Sequence, residues 1–599
     1  MSFPDLRAFL DRLRRDRDLV EITAPVARSL EAAEIHRRVV AASGPALLFS
    51  NVGDADFPLV TNLFGTARRA ELAFGERPQR LIRRLVELVE TALPPTAATL
   101  WSARDLTAEL FRVGVRRVRR GPVTDVVTDD VRLDRLPAMT TWPEDAGPFI
   151  TLPLVFTEHP DGRGHNLGIY RLQIHDARTT GMHWQIAKGG GFHYDVAQTH
   201  GTALPVTVFL GGPPALILSA VAPLPENVPE LILASLIAGA RLRLVEGVGP
   251  HPLVAGAEFA LIGSVPPWER QPEGPFGDHY GYYSLRHDYP VFQVSRMARR
   301  HDAIYPATVV GKPRQEDFFI GDRLQELLSP LFPLVMPAVE QLWAYGETGY
   351  HSLSAAVVKQ RYAREAMAGA FRILGEGQLS LTKFLLVTDQ PVDLKNFPAT
   401  LEHLLARTNP ETDLYVFSHL SMDTLDYTGP EVNRGSKGVW LGLGDPVRDL
   451  PGEFTAAELP QGVHEVRVFC RGCLVVGGPS FAVDPDAAAR VASHPAFAGW
   501  PLVVMTDEPA RAAKSAMNFL WTTFTRFEPA ADIHAAQTRV IRNHLVYTPP
   551  IVIDARLPPS FPAELSCRPD IAVKVSDRWR EYFPDGGVEM GDAERGHLD

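Results

Sequence analysis

The 599-residue sequence predicts a multidomain α/β protein, and three observations support this fold class. The length allows several domains, because domains have roughly 100–200 residues each. Short β-rich runs such as LGIYRLQIHD and ALPVTVFLGG, separated by Gly, Pro and Asp, occupy residues 121–310 and indicate a β-sheet or barrel. After residue 350, apolar strands alternate with helical stretches, a pattern typical of a parallel sheet.

The same patterns divide the chain into five segments. Residues 1–120 are predicted to form an N-terminal α/β segment, because helical patterns alternate there with short strands such as ALLFSNV. Residues 121–320 are predicted to form the β-rich domain. Residues 321–350, which contain the apolar run DRLQELLSPLFPLVMPAVEQ, are predicted to be a connector helix. Residues 351–480 are predicted to form a C-terminal α/β domain, and residues 481–599 are predicted to form a second βαβ unit with a tail.

An internal repeat supports the second βαβ unit. Residues 382–414 and 500–533 each contain an apolar strand that ends in Thr-Asp-x-Pro. A helical stretch follows in both, and then the pattern Arg-x-x-Pro-x-x-Asp. Because such self-similarity is the usual sign of a repeated structural unit, we predict a duplicated βαβ unit.

Composition and charge exclude several classes of protein. The formal net charge of −11 argues against bulk binding to nucleic acid, and the short basic run at residues 116–120 is better explained as a solvated turn. No window approaches the roughly 20 apolar residues of a membrane span, and the charged N-terminal helix does not resemble a signal peptide. Three cysteines fit a reducing compartment, so we expect a cytoplasmic protein.

The stretch PEGPFGDHYGYYS, at residues 272–284, contains the first candidate catalytic residues. Glu273 and Asp278 flank a Gly-Pro-Phe-Gly turn and precede three tyrosines. The two acids can serve as turn caps or arginine partners, or they can form a general acid/base pair. Arg171 lies in an otherwise apolar or amide-bearing strand, and a buried arginine needs a carboxylate partner. Arginine also binds a substrate carboxylate through two hydrogen bonds.

Together these stretches resemble the UbiD-type decarboxylases, a family that uses prenylated flavin mononucleotide (prenylated FMN). NLGIYRLQIHDARTTGMHWQ, PEGPFGDHYGYYS, YPATVVGKPRQED and TKFLLVTD occur in family order, within a resemblance that covers about residues 1–440. The length and the run QEDFFIG are similar to the branch that decarboxylates quinone precursors. The resemblance implies a flavin-binding split β-barrel-like domain and a C-terminal parallel-sheet α/β domain.

The resemblance also implies roles for individual residues. The catalytic residues would be Arg171, Glu273 and Asp278, and the metal ligands would be Asn166 and Glu230. The cofactor-binding residues would be Asn166, Ile169, Tyr170, Arg171, His183, Trp184, Gln185, Lys188, Gly189 and Lys383. The implied ions are a divalent metal, Mn²⁺, and K⁺.

Two positions depart from the family pattern. Ala187 stands where the family usually has a histidine that binds the metal, and alanine cannot coordinate a metal ion. The nearby His193 is not assigned as a replacement, because the family often has a histidine there too. Tyr280 stands where a small threonine is common, and its larger ring would narrow the substrate pocket.

The resemblance implies non-oxidative, reversible decarboxylation of an aromatic or α,β-unsaturated carboxylic acid. Side chains offer no electron sink for this chemistry, so a cofactor must supply it. Arg171 would orient the substrate carboxylate and hold Glu273 ionised. Asp278 would donate a proton, with its pKa raised by its aromatic neighbours.

The implied partners are a flavin prenyltransferase that supplies the cofactor and further copies of the chain in a homodimer or larger homo-oligomer. Two alternatives stay open at this point. The chain can be a non-catalytic or metal-site-impaired relative or subunit, because Ala187 removes a ligand. It can also be a conventional flavin oxidoreductase, which would not need the pair of acids.

Overall fold

A computed structural model describes residues 3–91, 111–184, 189–223, 229–312, 314–455 and 458–592. The chain divides into two compact units. The first unit comprises the described parts of Met1–Leu327 and Glu564–His597, and the second comprises Leu328–Ala563. Among the described helices, none is both long enough and apolar enough to cross a membrane.

The N-terminal part of the first unit is a small α/β layer. Its helices are Leu6–Arg15, Glu31–Ala41, Ala67–Phe74 and Arg77–Thr91. Its four-stranded sheet has the order Leu19–Ile22, Ala46–Phe49, Leu59–Thr61, Tyr305–Pro306. The first helix is amphipathic, with Asp5 as its N-cap and Leu6, Phe9, Leu10 and Leu13 buried.

The centre of the first unit is an eight-stranded antiparallel sheet. Its main path runs through Thr179–Gly181, His287–Arg299, Phe259–Val265, Leu204–Leu210, Leu154–Glu158 and His165–Gly168. Two more strands, Arg270–Glu273 and Val126–Thr128, pair with His287–Arg299. The path has two open ends, so the described sheet is not a closed barrel. The prediction of a β-rich domain is therefore confirmed, and its described sheet is open rather than closed into a barrel.

The described part of this domain also contains three helices and two small sheets. The helices are Gly189–Thr199, Ala215–Val221 and Glu230–Ala238. One small sheet contains Leu253–Val254, Leu242–Val245 and Val115–Val118, and the other contains Phe149–Ile150 and Leu172–Gln173. Short 3₁₀ turns lie at Pro122–Thr124 and Leu133–Arg135.

The single connector helix predicted over residues 321–350 does not form. A helix spans Glu316–Leu328, and it is followed by two short turns, Ser329–Leu331 and Phe332–Val335, and by the strand Val339–Ala344. Pro330, Pro333 and Pro337 explain the break, because proline lacks the N–H that a continuing helix requires.

The second unit contains two five-stranded sheets with the same strand order. The first sheet has the order Val339–Ala344, Leu353–Val358, Phe384–Thr388, Arg434–Gly442, Leu414–Ser421. The second has the order Glu465–Cys470, Cys473–Gly477, Leu502–Thr506, His544–Asp554, Ile533–Ile541. In both, the two inner pairings are parallel and the two outer pairings are antiparallel. This shared topology is what the prediction of a duplicated unit requires.

Helices cover these two sheets. They are Glu365–Leu374, Phe397–Arg407, Pro410–Asp413, Ala487–Ser493, Pro509–Ala512, Ala516–Phe524 and Pro529–Asp532, with 3₁₀ turns at Gly346–Thr348, Gly377–Leu381 and Pro495–Phe497. Cys470 and Cys473 face each other across a hairpin, are free thiols and are both buried. Both thiols therefore belong to the packed interior of the second unit.

The C-terminal tail returns to the first unit, whereas the predicted division kept it with the second βαβ unit. Its helix, Pro569–Tyr582, packs against the helix Glu31–Ala41. Glu31 accepts hydrogen bonds from Lys574 Nζ at 2.9 Å and from the Tyr582 hydroxyl at 2.6 Å. Apolar burial of Ile571 and Val575 on the core of the first unit supplies the driving force.

Candidate functional site

A buried cluster of three charged side chains joins distant parts of the first unit. Arg171 Nε donates to Glu273 Oε1 at 2.9 Å, and Arg171 Nη1 donates to Asp278 Oδ2. Arg171 Nη2 donates to Ser284 Oγ at 3.1 Å. The side chains of Arg171, Glu273 and Asp278 are 10%, 0% and 9% exposed, so one buried cation serves two buried carboxylates.

The backbone around the two acids is fixed by local structure. Glu273 ends a strand, directly opposite His287. Asp278 lies in a turn in which its N–H donates to Tyr282 O at 3.1 Å. Gly274 adopts a φ of +89°, a conformation that favours glycine.

Asp145 also holds this turn in place, and this role of Asp145 was not predicted from the sequence. Asp145 Oδ1 accepts from the Gly277 N–H at 2.7 Å, while Oδ2 accepts from the N–H and the hydroxyl of Thr141. Burial raises the pKa of Asp145 despite these hydrogen bonds. Asp145 lies 132 residues from Gly277, so no local pattern identifies the contact.

The pKa of Asp278 does not follow the prediction that its aromatic neighbours raise it. Burial raises the pKa of Asp278, but the Arg171 charge and the His279 hydrogen bond outweigh it and hold this pKa well below its usual range. Burial also raises the pKa of Glu273, and His183 and Arg171 reverse that effect, so its pKa is lowered too. The pKa of Asp278 is therefore not raised by its aromatic neighbours, because a cation in direct contact dominates over apolar burial.

Two histidines extend the cluster. His183 Nδ1 lies 2.8 Å from Glu273 Oε1, and the His183 ring lies against Tyr289 with centroids 4.3 Å apart. His279 Nδ1 lies 2.6 Å from Asp278 Oδ1, which also accepts from the His279 N–H. Burial lowers the pKa of His183, and Arg171 lowers it further, so His183 is a neutral partner of Glu273.

Asp317 is a third acid near this pair that sequence reasoning did not assign. It lies in the first turn of the helix Glu316–Leu328, and its Oδ1 is inaccessible and has no hydrogen-bond partner within the described part of the chain. Burial raises the pKa of Asp317 to about 6, with the charges of His279 and Asp278 acting in opposite directions. Its only signal in the sequence was its position in QEDFFIG.

The two predicted metal ligands lie near each other. Asn166 Nδ2 donates to the Tyr170 hydroxyl at 3.3 Å, and Tyr170 is close enough to Glu230 for its pKa to be affected by that charge. A backbone hydrogen bond from Leu167, next to Asn166, favours the charged form of Glu230. Even so, burial raises the pKa of Glu230 to about 7, and no residue that the structure describes donates to its Oε2.

The chemistry of this pair fits a cation, since carboxylate and amide oxygens are hard ligands and Glu230 Oε2 has no donor among the described residues. No group of three or more His, Cys, Asp or Glu side chains among the described residues is arranged to hold a metal ion. His193 is engaged elsewhere, with Nδ1 2.8 Å from the Thr157 hydroxyl, and burial lowers its pKa to about 4.

Glycines line the space beside Asn166. A Cβ atom at Gly189 would lie 2.3 Å from Asn166 Oδ1, and one at Gly190 would lie 2.5 Å from Trp184 Nε1. The Trp184 Nε1 donor is inaccessible and lacks an acceptor in the described ranges, and Gly190 N donates to the Tyr170 hydroxyl at 3.3 Å. Such a cradle fits a bulky polar group that approaches the backbone closely.

The remaining predicted residues are not all brought together. Ile169 is half-buried directly after the strand His165–Gly168. Gln185, Ala187 and Lys188 lie outside the described residues. Lys383 lies in the second unit, where Nζ is 2.8 Å from Asp426 Oδ2 and both side chains are 2% exposed.

Three family models match the chain. They are the N-terminal domain of 3-octaprenyl-4-hydroxybenzoate carboxy-lyase (UbiD) over residues 10–89, its Rift-related domain over residues 116–313, and its C-terminal domain over residues 318–442. A curated protein of Chlamydia pneumoniae, named as one of the subunits of a 4-hydroxybenzoate decarboxylase, is 49% identical over 585 residues, which is 98% of this chain and 99% of that protein.

Solved structures share the fold. The vanillic acid decarboxylase of Sedimentibacter hydroxybenzoicus in its closed form is 22% identical, with a TM-score of 0.66 over 77% of this chain and 97% of that one. The UbiD-class enzyme HmfF of Pelotomaculum thermopropionicum, solved in complex with FMN, is 22% identical, with a TM-score of 0.61 over 76% and 97% of the two chains.

Proposed function

The chain belongs to the UbiD family, and from this premise we propose that it is a carboxy-lyase that reversibly decarboxylates an aromatic or α,β-unsaturated carboxylic acid with prenylated FMN. A quinone precursor is the substrate that the long branch of the family suggests. The observation that carries the proposal is the buried cluster of Arg171 with Glu273 and Asp278. Burying three charges is costly, and a purely structural core would be at least as stable with apolar residues.

The residues that would hold the cofactor surround the glycine cradle. Asn166, Tyr170, Trp184 and Gly189 offer polar atoms and close backbone access. When bound, prenylated FMN supplies the electron sink that amino-acid side chains lack. Asn166 and Glu230 would hold a divalent cation such as Mn²⁺.

Arg171 is equipped to bind the substrate carboxylate. A guanidinium group has five N–H donors, and the protein uses one on Nε and one on each terminal nitrogen. Counting only partners in the described ranges, one N–H remains on each terminal nitrogen for the substrate. Because Glu273 and Asp278 hold the guanidinium in place, little orientational freedom is lost when the substrate binds.

Asp278 is the group that would take up the transferable proton once the substrate is bound. In the substrate-free protein its ion pair with Arg171 keeps it ionised. A substrate carboxylate on Arg171 competes for the same positive charge, so binding raises the pKa of Asp278 toward the range of a proton donor. Tyr280, Tyr282 and Phe276 are buried around Asp278 and exclude water from that step.

The central test compares protein produced with and without a flavin prenyltransferase. We expect the cofactor mass and absorbance of prenylated FMN, and release of CO₂ from a panel of aromatic and α,β-unsaturated acids, only when the prenyltransferase is present. Bleaching of the flavin by reduced nicotinamide without CO₂ release would indicate an oxidoreductase. Tight cofactor binding without turnover of any acid would indicate a non-catalytic relative.

Ala187→His should tighten Mn²⁺ binding. Neutral imidazole is a favoured ligand for transition metals, and here the family position for it holds a methyl group. We expect a gain of at least about 10–100-fold in affinity, the range that even outer-shell partners contribute. Titration of free Mn²⁺ by electron paramagnetic resonance measures this, with Ala187→Leu as the matched control. Equal affinities in all three proteins would contradict a metal site at this position.

Two further features belong to the proposal. A homodimer or larger homo-oligomer is expected from the family, as is a flavin prenyltransferase as cofactor supplier. Lys383, which the resemblance implies as a cofactor-binding residue, is already paired with Asp426 and lies over the Phe527 ring at 5.4 Å. To contact the cofactor, Lys383 would have to leave this buried pair.

A further inference from the structure

Each turnover of the proposed reaction consumes one proton from solvent. When CO₂ leaves a carboxylic acid anion, the carbon keeps the electron pair of the broken bond and must receive a proton. Asp278 would deliver that proton, but its side chain is only 9% exposed. The side chains of Phe276, Tyr280 and Tyr282 are buried in the same turn and restrict the access of water. The protein therefore needs a route that returns a proton to a buried carboxylate after every turnover.

The contacts of the Asp278 carboxylate limit the possible routes. Within the described ranges, Oδ2 accepts from Arg171 Nη1, and Oδ1 contacts the backbone N–H and Nδ1 of His279. A guanidinium group stays protonated in proteins, so Arg171 cannot pass on a proton. A backbone N–H does not titrate either. Among these partners, the imidazole ring of His279 is the group that both takes up and releases protons.

Two acid–histidine pairs in the site differ in their exposure to solvent. His183 Nδ1 lies 2.8 Å from Glu273 Oε1, and the His183 side chain is 9% exposed. His279 Nδ1 lies 2.6 Å from Asp278 Oδ1, and the His279 side chain is 27% exposed. Both distances are short enough for proton transfer along a hydrogen bond. Of the two pairs, the one at Asp278 is connected to solvent through its histidine.

The charges around His279 favour a proton on its ring. Burial raises the pKa of Asp278, but the Arg171 charge outweighs it, so Asp278 is ionised in the substrate-free protein. Burial raises the pKa of Asp317 to about 6, against the charge of the nearby His279, so this carboxyl is mostly ionised at pH 7. An imidazole exchanges protons with water near neutral pH, and negative neighbours stabilise its cationic form. The ring is thus suited to collect a proton from solvent.

We propose that His279 is a proton-relay residue that carries a solvent proton to Asp278. The inference rests on the proposed function, in which a substrate carboxylate on Arg171 makes Asp278 able to accept a proton. The His279 ring takes a proton from solvent and becomes an imidazolium. Its Nδ1–H bond then breaks, an O–H bond forms at Asp278 Oδ1, and the ring is neutral again. As CO₂ leaves, Asp278 gives this proton to the carbon that held the carboxylate, so one solvent proton is consumed for each CO₂.

His279→Asn separates the relay from the hydrogen bond. Asparagine has an amide N–H to donate to Asp278 Oδ1, but it has no group that titrates. For the holoenzyme with prenylated FMN, we expect kcat to fall about 10²-fold, the lower end for a positioned acid or base, with KM little changed. Added imidazole should restore kcat in proportion to the concentration of its imidazolium form, because a small acid can replace the missing ring.

His200→Asn is the matched control. His200 lies 3.8 Å from Asp161 in an exposed acid–histidine pair of the first unit, outside the buried cluster. Neither this variant nor the unmodified protein should respond to imidazole, and sodium chloride at the same concentration controls for ionic strength. If His279→Asn does not fold, His279→Gln provides the second variant, with the same loss and the same rescue expected.

An unchanged kcat in His279→Asn would overturn the inference. A loss of kcat that imidazole does not restore would overturn it as well, because it indicates that the ring has a structural role.

A second measurement does not depend on turnover. Binding of benzoate should draw a proton into the protein at Asp278, and a pH-indicator dye in a stopped-flow instrument follows this uptake. The uptake should be slower in His279→Asn than in the unmodified protein, by a factor similar to the loss of kcat. If no acid is turned over, the proposed decarboxylation fails, and the uptake alone decides the relay. Slower uptake in His279→Asn supports the relay, whereas equal rates, or no uptake by the unmodified protein, reject it.

Discussion

Asp278→Asn is expected to stop turnover while the protein still folds and binds its flavin. Asparagine fits the turn, because Asn and Asp are similar turn residues and both accept hydrogen bonds from backbone N–H groups. It cannot carry the transferable proton, and general acid catalysis is worth about 10²–10⁴-fold. Steady-state kinetics on the prenylated holoenzyme measures the loss, and the flavin absorbance confirms that the cofactor is bound.

Asp278→Glu distinguishes catalysis from a structural role at the same position. Glutamate keeps the carboxyl group and adds one methylene, so we expect part of the activity to remain. A residue that only shaped the turn would show the opposite ranking, with Asn well tolerated and Glu harmful. Higher activity in Asp278→Asn than in Asp278→Glu would therefore reject Asp278 as the proton donor.

Arg171→Met should destabilise the first unit strongly and abolish activity. The substitution leaves Glu273 and Asp278 buried without their shared cation. Removing one partner of a buried ion pair typically costs about 3–5 kcal/mol in the free energy of unfolding. Denaturant unfolding, followed by a probe in the first unit, measures this loss.

The loss of unfolding free energy in Arg171→Met should depend on pH. In the native protein Arg171 helps to keep the pKa of Glu273 and of Asp278 below their usual values. Without it, burial is opposed only by His183 and His279, so both pKa values rise toward or above those of the unfolded chain, which are about 4. A group with a raised folded pKa stabilises the fold below its unfolded pKa and loses that contribution as pH rises. The variant should therefore be less destabilised at pH 5 than at pH 8.

Arg296→Met is a suitable control for this experiment. Arg296 pairs with Asp129 at 2.7 Å, but the two side chains are 41% and 69% exposed. An exposed pair contributes little to stability, so its removal should have a small effect. Equal destabilisation of Arg171→Met at both pH values would contradict the electrostatic account of the site.

Much of the site was readable from the sequence because it lies in short contiguous runs. Arg171, Glu273 and Asp278 were assigned from two stretches, and the structure brings them into direct contact. The pKa of Asp278 was not predictable in the same way. Its local neighbours are aromatic, whereas the arginine that dominates its charge state is 107 residues away. The direction of the pKa shift at Asp278 was therefore set by a contact in space, whereas the neighbouring residues in the sequence suggested the opposite direction.

The fold was predictable where local periodicity decides it and less so where long-range packing does. The strand and helix patterns on both sides of Thr388 and Thr506 led to two sheets of equal topology. The prediction of a connector helix was wrong because Pro330 and Pro333 interrupt the helix, although the residues around them have apolar periodicity. The return of the tail to the first unit depends on contacts with Glu31, which is 543 residues from Lys574 in the chain.

The segment that follows the second unit touches the turn that contains Asp278. Leu565 N donates to Gly281 O at 3.0 Å, Glu564 bridges to Tyr282, and Lys312 pairs with Glu564. Leu565 packs with Trp142 and Tyr283 in one buried cluster. During synthesis the ribosome releases Glu564 and Leu565 only after all of Leu328–Ala563. A nascent chain therefore lacks the contacts of Glu564 and Leu565 with the turn that contains Asp278 until the second unit has been translated. A chain that is truncated within the second unit lacks these contacts as well.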